Sequence, residues 1–252
     1  MSGNALVTGG SAGLGAALVA GLLARGYRVT CIDRHPPPVA HDRLTFVPAE
    51  LSDMKALGSL ASALSDSVFD VVILNAGISA VGAFEAIAAE HLQRVINVNL
   101  LAPVELTRLL LSRGLLAQRG SLIFVASLSN RLGYPGAAVY AASKQGLEAF
   151  ARSLRPALTQ SVLCVLPGPL DTEHARRYAP SGGSARRRMA PEALAERLLS
   201  RLGRSGTVYG NLPQQLAALA GTLLPGLMTG LMRRGLSVRL IGSTPVVDDS
   251  RT

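Results

Sequence analysis

The stretch Thr8-Gly9-Gly10-Ser11-Ala12-Gly13-Leu14-Gly15 follows a short apolar run, Ala5 to Thr8, and leads into a helical run, Ala16 to Arg25. A strand, a glycine-rich loop and a helix in this order are typical of a dinucleotide-binding unit. Glycines allow the backbone to approach a pyrophosphate closely, and the helix N-terminus favours the negative charge of that group. The stretch therefore predicts an α/β fold that binds a dinucleotide.

A second apolar run, Tyr27 to Ile32, ends in Asp33, about twenty residues after the glycine-rich loop. A carboxylate at this position can accept hydrogen bonds from the ribose diol of an adenosine and would repel a 2'-phosphate. Asp33 therefore favours NAD over NADP. Arg34 keeps NADP open, because a basic residue next to the acid can reach a 2'-phosphate. The alternative reading of Asp33 is a solvated carboxylate at the end of a strand.

Short apolar runs alternate with helical segments along most of the chain. This alternation predicts a doubly wound, mostly parallel sheet with helices on both faces. A chain of 252 residues that is 48% hydrophobic is long enough to bury one large core. The predicted strands are Ala5 to Thr8, Val29 to Ile32, Thr45 to Val47, Val71 to Leu74, Leu122 to Val125, Val162 to Leu166 and Thr207 to Tyr209.

Tyr140 and Lys144 carry the strongest chemical signal. They lie four residues apart in a predicted helix, Val139 to Leu154, and so share one helix face. An ammonium about 4 Å from the phenol would lower its pKa by roughly three units, which makes the tyrosine a candidate general acid/base. Ser127 could hold a reacting oxygen against the phenol. A tyrosine and a lysine at this spacing also occur on ordinary amphipathic helices, which is the alternative for the pair taken alone.

Taken together, these segments resemble the compact single-domain branch of the short-chain dehydrogenase/reductase family. The resemblance runs from Ala5 to about Gly210. The segments that carry it, in chain order, are Thr8 to Gly15, Asn75-Ala76-Gly77, Asn99 within Val98-Asn99-Leu100, Ser127, Tyr140 with Lys144, and Pro167-Gly168-Pro169-Leu170-Asp171-Thr172.

The resemblance implies a Rossmann fold over residues 1–210. The family often ends there, whereas this sequence continues, and residues 211–252 predict an extra C-terminal helical extension packed on the same domain. It implies an oxidoreductase that interconverts a secondary alcohol and a ketone by hydride transfer, with NAD(H) favoured and NADP(H) as the alternative. Tyr140 would act as acid or base, Lys144 would lower the pKa of the phenol and hold the nicotinamide ribose, Ser127 would orient the substrate, and Asn99 would support a water relay. The alternatives are an epimerase or dehydratase of the same superfamily, and a non-catalytic nucleotide-sensing protein.

The resemblance also implies a set of cofactor contacts and a homodimer or homotetramer formed through helices around residues 99–113 and 140–154. The sequence has Glu50 where the family usually carries an aspartate near the adenine, and Asp53 is a candidate substitute. The implied cofactor contacts are Thr8, Gly9, Ser11, Gly13, Leu14, Gly15, Asp33, Arg34, Glu50, Leu51, Asn75, Ala76, Gly77, Tyr140, Lys144, Pro167, Gly168 and Thr172.

The net charge of +9 comes almost entirely from arginine, since only Lys55 and Lys144 are lysine. A GC-rich genome explains this bias without a charged partner, and an aromatic content of 4% gives little support to nucleic-acid binding. An alternative comes from the arginines that follow Thr172, which could recognise a carboxylate, a phosphate or an acidic carrier protein. These are Arg176, Arg177, Arg186, Arg187 and Arg188.

Cys31 and Cys164 lie in predicted buried strands, which indicates small apolar core residues and a cytoplasmic, reducing location. The four histidines show no metal-ligand spacing, so we predict no metal site. His174 lies near the expected substrate lid and is a candidate ligand contact. The first strand begins close to the N-terminus, so we expect no signal peptide.

The C-terminal part contains a largely apolar run, Leu216 to Met232, followed by Arg233 and Arg234. Pro225 and three glycines interrupt the run, which predicts a pair of short helices rather than one straight crossing. Three roles stay open: cover for the substrate pocket or a subunit interface, a peripheral membrane anchor formed by residues 216–234, or a true span. The first two also predict an apolar substrate.

Overall fold

The computed structural model describes residues 3–65, 67–132, 136–178, 188–231 and 246–247. The strands found among these residues are β1 (Asn4–Thr8), β2 (Arg28–Asp33), β3 (Leu44–Pro48), β4 (Phe69–Leu74), β5 (Ala80–Val81), β6 (Leu116–Val125), β7 (Ser161–Leu166), β8 (Gly206–Tyr209) and β9 (Val246–Val247). Seven of them form one sheet in the order β3-β2-β1-β4-β6-β7-β8. Every neighbouring pair in this sheet is parallel, as the sequence predicts.

Helices connect the strands and cover both faces of the sheet. They are α1 (Gly13–Ala24), α2 (Ala56–Ala63), α3 (Ala89–Ile96), α4 (Ala102–Ser112), α5 (Ser129–Leu132), α6 (Ala138–Leu154), α7 (Glu173–Arg177), α8 (Pro191–Leu199) and α9 (Leu212–Leu223). A π-helical turn, Asn97–Leu101, joins α3 to α4. In the described part of the chain, the continuous helical stretch Ala89–Ser112 is the one long and apolar enough to cross a membrane, and half of it is buried inside the fold.

The sheet separates two hydrophobic cores, because successive side chains of a strand point to opposite faces. In β1, Leu6 packs with residues of α2, α4 and α6, whereas Ala5 and Val7 pack with residues of α1 and α8. Cys31 and Cys164 are buried and free. Burial raises the pKa of the Cys31 thiol to about 11 and that of Cys164 to about 12, so both thiols are protonated near neutral pH.

The strand order reverses between β1 and β4, since the chain runs outward from β1 to β3 and then returns to the other side of β1. A crevice forms beyond the carboxyl ends of parallel strands at such a reversal, and ligands of open α/β sheets bind there. The topology therefore places the glycine-rich loop after β1 and the Asn75-Ala76-Gly77 segment after β4 on the two sides of one crevice.

The observed bounds differ from the predicted ones mainly at β6. The sequence predicts a strand from Leu122, but pairing with β4 already begins at Leu116, with a register shift between Phe69 and Val71. The apolar C-terminal run is interrupted as predicted: α9 ends at Leu223, and a second helical segment occupies residues 225–231. Met232 lies outside the described residues.

Candidate active site

A groove of about 640 Å³ lies at the carboxyl ends of β1 and β4, where the strand order reverses. Most of the residues that the sequence assigns to the cofactor line this groove. They are Gly9, Gly13, Leu14, Gly15, Asp33, Arg34, Glu50, Leu51, Asn75, Ala76, Gly77, Tyr140, Lys144, Pro167 and Thr172. A larger hollow of about 780 Å³ between α1 and α8 shares Gly13 and Thr172 with the groove, but it is lined mainly by small side chains and none of the catalytic candidates lines it.

The glycine-rich loop has a geometry that other residues would not tolerate. Gly9 and Gly13 have φ angles of +67° and +51°, in the left-handed region that favours glycine. A Cβ atom at Gly15 would lie 1.8 Å from the carbonyl oxygen of Gly9, and a Cβ atom at Gly9 would lie 2.7 Å from the Cα of Ala76. Helix α1 begins at Gly13, and Ala12 at its N-cap supplies no side-chain acceptor. The first-turn N–H groups of α1 therefore suit an anion such as a pyrophosphate.

Thr8 and Asn75 hold the two loops of the groove together. The hydroxyl of Thr8 accepts hydrogen bonds from the backbone N–H groups of Asn75 (3.0 Å) and Ala76 (3.1 Å). The side-chain amide of Asn75 donates to the carbonyl oxygens of Thr8 (3.1 Å) and Gly9 (2.9 Å). Thr8 is buried and lies beneath the groove instead of lining it. The structure thus gives Thr8 a loop-positioning role where the sequence predicts a cofactor contact.

Asp33 ends β2 at the rim of the groove, and the backbone holds its carboxylate in place. One oxygen accepts a hydrogen bond from the N–H group of Ser11 (2.9 Å) and the other from the N–H group of Arg34 (2.7 Å). The hydroxyl of Ser11 donates to the carbonyl oxygen of His35. Ser11 does not line the groove itself, but it ties the glycine-rich loop to the end of β2.

Glu50 lines the groove, and Asp53 does not. The carboxylate of Glu50 accepts from the N–H group of Ser52 (2.9 Å) and lies 3.9 Å from the guanidinium of Arg94. The carboxylate of Asp53 accepts from the N–H groups of Lys55 (3.0 Å) and Ala56 (3.3 Å) at the start of α2. Asp53 therefore caps the start of α2, and of the two carboxylates it is Glu50 that faces the groove.

Tyr140 and Ser127 meet at the inner end of the groove. The hydroxyl of Ser127 hydrogen-bonds the phenol of Tyr140 and accepts from the hydroxyl (2.9 Å) and the N–H group (3.2 Å) of Ser129. Burial raises the pKa of the Tyr140 phenol above its ordinary value, and the hydrogen bond with Ser127 offsets part of this effect. The phenol is therefore in its protonated form at neutral pH.

Lys144 is buried one helical turn after Tyr140, with a side chain 3% exposed. Its ammonium donates to the carbonyl oxygen of Val125 (2.8 Å) and lies 6.0 Å from the centroid of the Tyr140 ring. Burial lowers the pKa of this ammonium to about 8. The expectation that Lys144 lowers the pKa of the Tyr140 phenol is wrong for this state of the protein, because the ammonium is directed at Val125 and burial dominates at the phenol.

Asn99 is fully buried in the π-helical turn and positions two segments of the site. Its side-chain oxygen accepts from the N–H group of Ile78 (2.9 Å), and its amide donates to the carbonyl oxygen of Ile78 and the hydroxyl of Ser143, both at 3.0 Å. Ser143 in turn donates to the carbonyl oxygen of Tyr140 (2.7 Å). Asn99 thus connects the loop after β4 to α6. Its part in a water relay stays a prediction.

Gly168 lies beside the groove under the C-terminal extension. Its N–H group donates to the side-chain oxygen of Gln214 in α9 (2.9 Å), and a Cβ atom at Gly168 would lie 2.6 Å from that side chain. Gly168 therefore packs against α9 and does not line the groove. Gln214 is a supporting residue that the sequence motifs do not identify, because it lies 46 positions away from its partner.

Helix α7 and Tyr178 line one side of the groove, and the short ribbon of β5 and β9 packs near Tyr140 without lining the groove. Glu173, His174, Arg177 and Tyr178 all line the groove, so the expectation that His174 lies at the site agrees with its position. Val247 packs in a cluster that includes Tyr140, and its carbonyl oxygen accepts from Arg177 (3.4 Å). The approach of β9 to the site has no signal in the sequence, because two valines near the end of a chain are unremarkable.

Two of the arginines that follow Thr172, Arg176 and Arg177, make contacts within the protein. The guanidinium of Arg176 pairs with the carboxylate of Asp171 (3.0 Å), and Arg177 contacts Val247 and lies 6.0 Å from the centroid of the Tyr178 ring. Arg186 and Arg187 lie outside the described residues. Across the described part of the chain, no group of three or more His, Cys, Asp or Glu side chains could hold a metal ion.

Comparison with known proteins agrees with this architecture. A family model described as short chain dehydrogenase matches residues 3–181. Nodulation protein G of Rhizobium sp. (strain N33) is 35% identical over 181 residues, covering 67% of this chain and 74% of that protein. A short chain dehydrogenase from Burkholderia cenocepacia J2315, solved in complex with NADP, is 26% identical with a TM-score of 0.75, covering 92% of this chain and 97% of its own.

The fold is also that of 4-hydroxyisoleucine dehydrogenase, solved in complex with NADH, which is 22% identical with a TM-score of 0.74 and covers 83% of this chain and 98% of its own. The family match extends over well more than half of the sequence and includes the glycine-rich loop, Ser127, Tyr140 and Lys144. This protein therefore belongs to the short-chain dehydrogenase/reductase family of oxidoreductases.

Proposed function

We propose that this chain interconverts a secondary alcohol and a ketone by hydride transfer and prefers NAD(H) to NADP(H). The observation that carries the proposal is one groove with two ends: the glycine-rich loop and Asp33 line one, and Tyr140 meets Ser127 at the other. The loop fits a dinucleotide, because Cβ atoms at Gly9 and Gly15 would collide with neighbouring backbone and the first-turn N–H groups of α1 have no side-chain acceptor at the N-cap.

The catalytic residues of the proposed reaction act on the substrate oxygen. A nicotinamide cofactor, when bound, supplies the hydride donor or acceptor. Tyr140 donates its phenolic proton to the oxygen of a ketone, and Ser127, held by Ser129, orients that oxygen. Burial keeps the Tyr140 phenol protonated, which supports the reductive direction at neutral pH. Lys144, fixed against Val125, holds a positive charge beside the phenol below about pH 8.

The preference for NAD(H) rests on Asp33. Its carboxylate is oriented by the N–H groups of Ser11 and Arg34, so it is preorganised to accept hydrogen bonds from a ribose diol. A 2'-phosphate near the same carboxylate would be repelled. The solved relatives bind either cofactor, one as an NADH complex and one as an NADP complex, which supports a nicotinamide cofactor without choosing between the two.

The test of cofactor preference is a fluorescence titration of the purified protein with NADH and with NADPH, in wild type and Asp33→Ala. We expect NADH to bind more tightly than NADPH in wild type, and the ratio of the two affinities to fall at least about tenfold in the variant. Asp42→Ala is the matched control, because Asp42 is exposed and pairs with His41 away from the groove. Equal NADH and NADPH affinities in wild type would overturn the preference, and no binding of either would overturn the enzyme assignment.

The test of the chemistry is Tyr140→Phe, with Tyr27→Phe as a control that removes a phenolic hydroxyl outside the groove. We expect Tyr140→Phe to lose about 10²- to 10⁴-fold in turnover while NADH affinity stays near that of wild type. A non-catalytic nucleotide sensor would keep its output after the same change. Turnover in Tyr140→Phe equal to that of Tyr27→Phe would remove the phenol from the mechanism.

We further propose an apolar substrate, since Leu170 and Tyr178 line the groove, Val247 packs beside Tyr140, and Arg176 and Arg177 contact other parts of the protein. A cytoplasmic location and a homodimer or homotetramer formed through α4 and α6 complete the proposal. Sedimentation velocity of the wild-type protein tests the oligomer, and a monomer throughout the micromolar range would contradict it.

A further inference from the structure

The C-terminal extension exposes a row of leucines to solvent. Helix α9 and the helical segment 225–231 carry six of them and Leu224 between the two is the seventh, each between 54% and 68% exposed. We call this set the leucine face: Leu212, Leu216, Leu219, Leu223, Leu224, Leu227 and Leu231. An apolar patch of this extent is unusual on a monomeric soluble protein and commonly marks an interaction site.

The orientation of α9 is fixed by contacts on its other side. Gln214 and Ala218 are buried, and the Gln214 side chain accepts from the N–H group of Gly168. Gly221 lies so close to α5 that a Cβ atom there would be 2.1 Å from the carbonyl oxygen of Arg131. The small and polar residues of α9 therefore face the protein and its leucines face outward, which is the reverse of the usual arrangement for a surface helix.

The helical segment 225–231 has little contact with the rest of the described protein. Cβ atoms at Gly226 and Gly230 would meet nothing within 4 Å, and Leu227 and Leu231 are 59% and 54% exposed. The sequence contains no charged residue from position 211 to position 232. A helix that is apolar on all sides is normally buried in a protein core or in lipid. The described domain supplies no such environment for this segment.

We propose that the leucine face binds the surface of an anionic phospholipid bilayer. Charge favours this partner over a second copy of the chain. The sequence from position 197 to position 247 contains no Asp or Glu, and Arg233 and Arg234 follow the helical segment 225–231 after one residue. Two copies that met through the leucine face would bring like charges together, whereas anionic headgroups neutralise arginines next to an inserted apolar surface.

Docking in this way places the candidate active site near the bilayer. Helix α9 packs on α5, which follows Ser127 by two residues, and Gln214 supports Gly168 at the edge of the groove. An apolar alcohol or ketone dissolved in the bilayer would then reach the groove without crossing water. This consequence of membrane docking rests on the proposed function. The binding of the leucine face to lipid does not itself depend on catalysis.

The experiment is flotation of the full-length protein with vesicles of phosphatidylcholine alone and of phosphatidylcholine with phosphatidylserine. The test variant is the triple substitution Leu216→Ser, Leu223→Ser and Leu227→Ser. The matched control is Val68→Ser with Phe84→Ser, which removes two exposed apolar side chains outside the leucine face. We expect wild type and control to float with the anionic vesicles, less so at high salt, and the triple variant to partition roughly a hundredfold less.

Three outcomes would overturn the proposal. The first is absence of wild-type flotation combined with a dimer in sedimentation velocity that the triple variant loses, because the leucine face would then bind a second copy. The second is absence of flotation by a monomer, which would mean that another part of this chain covers the leucines. The third is equal flotation of wild type and triple variant. NADH titration of the same preparations tests the proposed function separately, because neither its success nor its failure changes the flotation result.

Discussion

Lys144→Met should stabilise the folded protein near neutral pH, although Lys144 is a candidate catalytic residue. Methionine keeps most of the length of the side chain and packs well in apolar surroundings. The substitution removes an ammonium that is almost completely buried, together with its hydrogen bond to the carbonyl oxygen of Val125. Two opposing effects on the free energy of unfolding therefore decide the outcome.

The larger effect is relief of burial. The pKa of Lys144 falls from 10.5 to about 8 in the folded protein. A shift of this size corresponds to about 3 kcal/mol of unfavourable charge burial at pH 7. The substitution also removes the hydrogen-bond donor of the buried Val125 carbonyl oxygen, which lowers the free energy of unfolding by about 1–2 kcal/mol. We therefore expect a net stabilisation on the order of 1–2 kcal/mol at pH 7.

The sign of the effect should reverse with pH. Between pH 8 and pH 10.5 the unfolded chain binds a proton at Lys144 that the folded protein has already released, so the stability of wild type rises through this window. The variant lacks this rise. Near pH 11 both states are largely deprotonated at Lys144 and mainly the lost hydrogen bond remains, so Lys144→Met should then be the less stable protein by about 1 kcal/mol.

Urea denaturation at pH 7 and pH 11 measures both values. Lys55→Met is the matched control, since Lys55 is the only other lysine and is exposed, and it should show no such reversal. A difference between Lys144→Met and wild type that stays constant over this range would refute the reasoning, because it would mean that the ammonium is not desolvated in the free protein.

Three further predictions concern residues that hold the site together. Gly15→Ala should lose at least about a hundredfold in NADH affinity or fail to fold, because its Cβ atom would lie 1.8 Å from the carbonyl oxygen of Gly9. Gly58→Ala in helix α2 is the control, because a Cβ atom there would meet nothing within 4 Å. It should bind NADH normally, and its free energy of unfolding, measured by thermal denaturation, should rise by about 0.5–1 kcal/mol. Asp53→Ala should cost about 1 kcal/mol of stability through the lost cap of α2, and an NADH affinity changed more than twofold would contradict its placement outside the groove. Arg131→Met should lower the free energy of unfolding by about 3–5 kcal/mol, because it removes the guanidinium paired with the buried carboxylate of Glu148. The double variant Arg131→Met/Glu148→Leu should recover most of this stability. Additive losses in the double-mutant cycle would refute the coupling.

Much of the fold could be predicted from the sequence, because its signals are local. The strands of a parallel sheet are buried on both faces and appear as short apolar runs, and each predicted run corresponds to a strand of the central sheet. The glycine-rich loop could be predicted for a similar reason, since the sequence signal for it, Thr8 to Gly15, is contained in eight consecutive residues. The N-terminal part of β6 was missed, because its residues 116–120 include a glycine and polar side chains that give no apolar run.

The rest of the site depends on contacts between distant parts of the chain. Arg94 reaches Glu50 from α3, and Gln214 reaches Gly168 from α9, and neither pair has a spacing that local structure would produce. The state of the Tyr140 phenol was wrongly predicted for the same reason. Helix geometry brings Lys144 onto the right face, but only the packed structure shows that its ammonium is directed at Val125.

Several residues of the motif segments position loops instead of lining the groove. The hydroxyl of Thr8, both polar groups of the Asn99 amide and the N–H group of Ser11 are all used in hydrogen bonds within the protein. Each of these bonds joins two segments that are more than twenty residues apart in the chain. A motif of this kind therefore specifies the distance between loops as much as it specifies contacts to a ligand. Substitutions at Thr8 or Asn99 should accordingly lower stability and cofactor affinity together, whereas a change at Tyr140, whose hydroxyl meets Ser127 at the groove, should affect turnover alone.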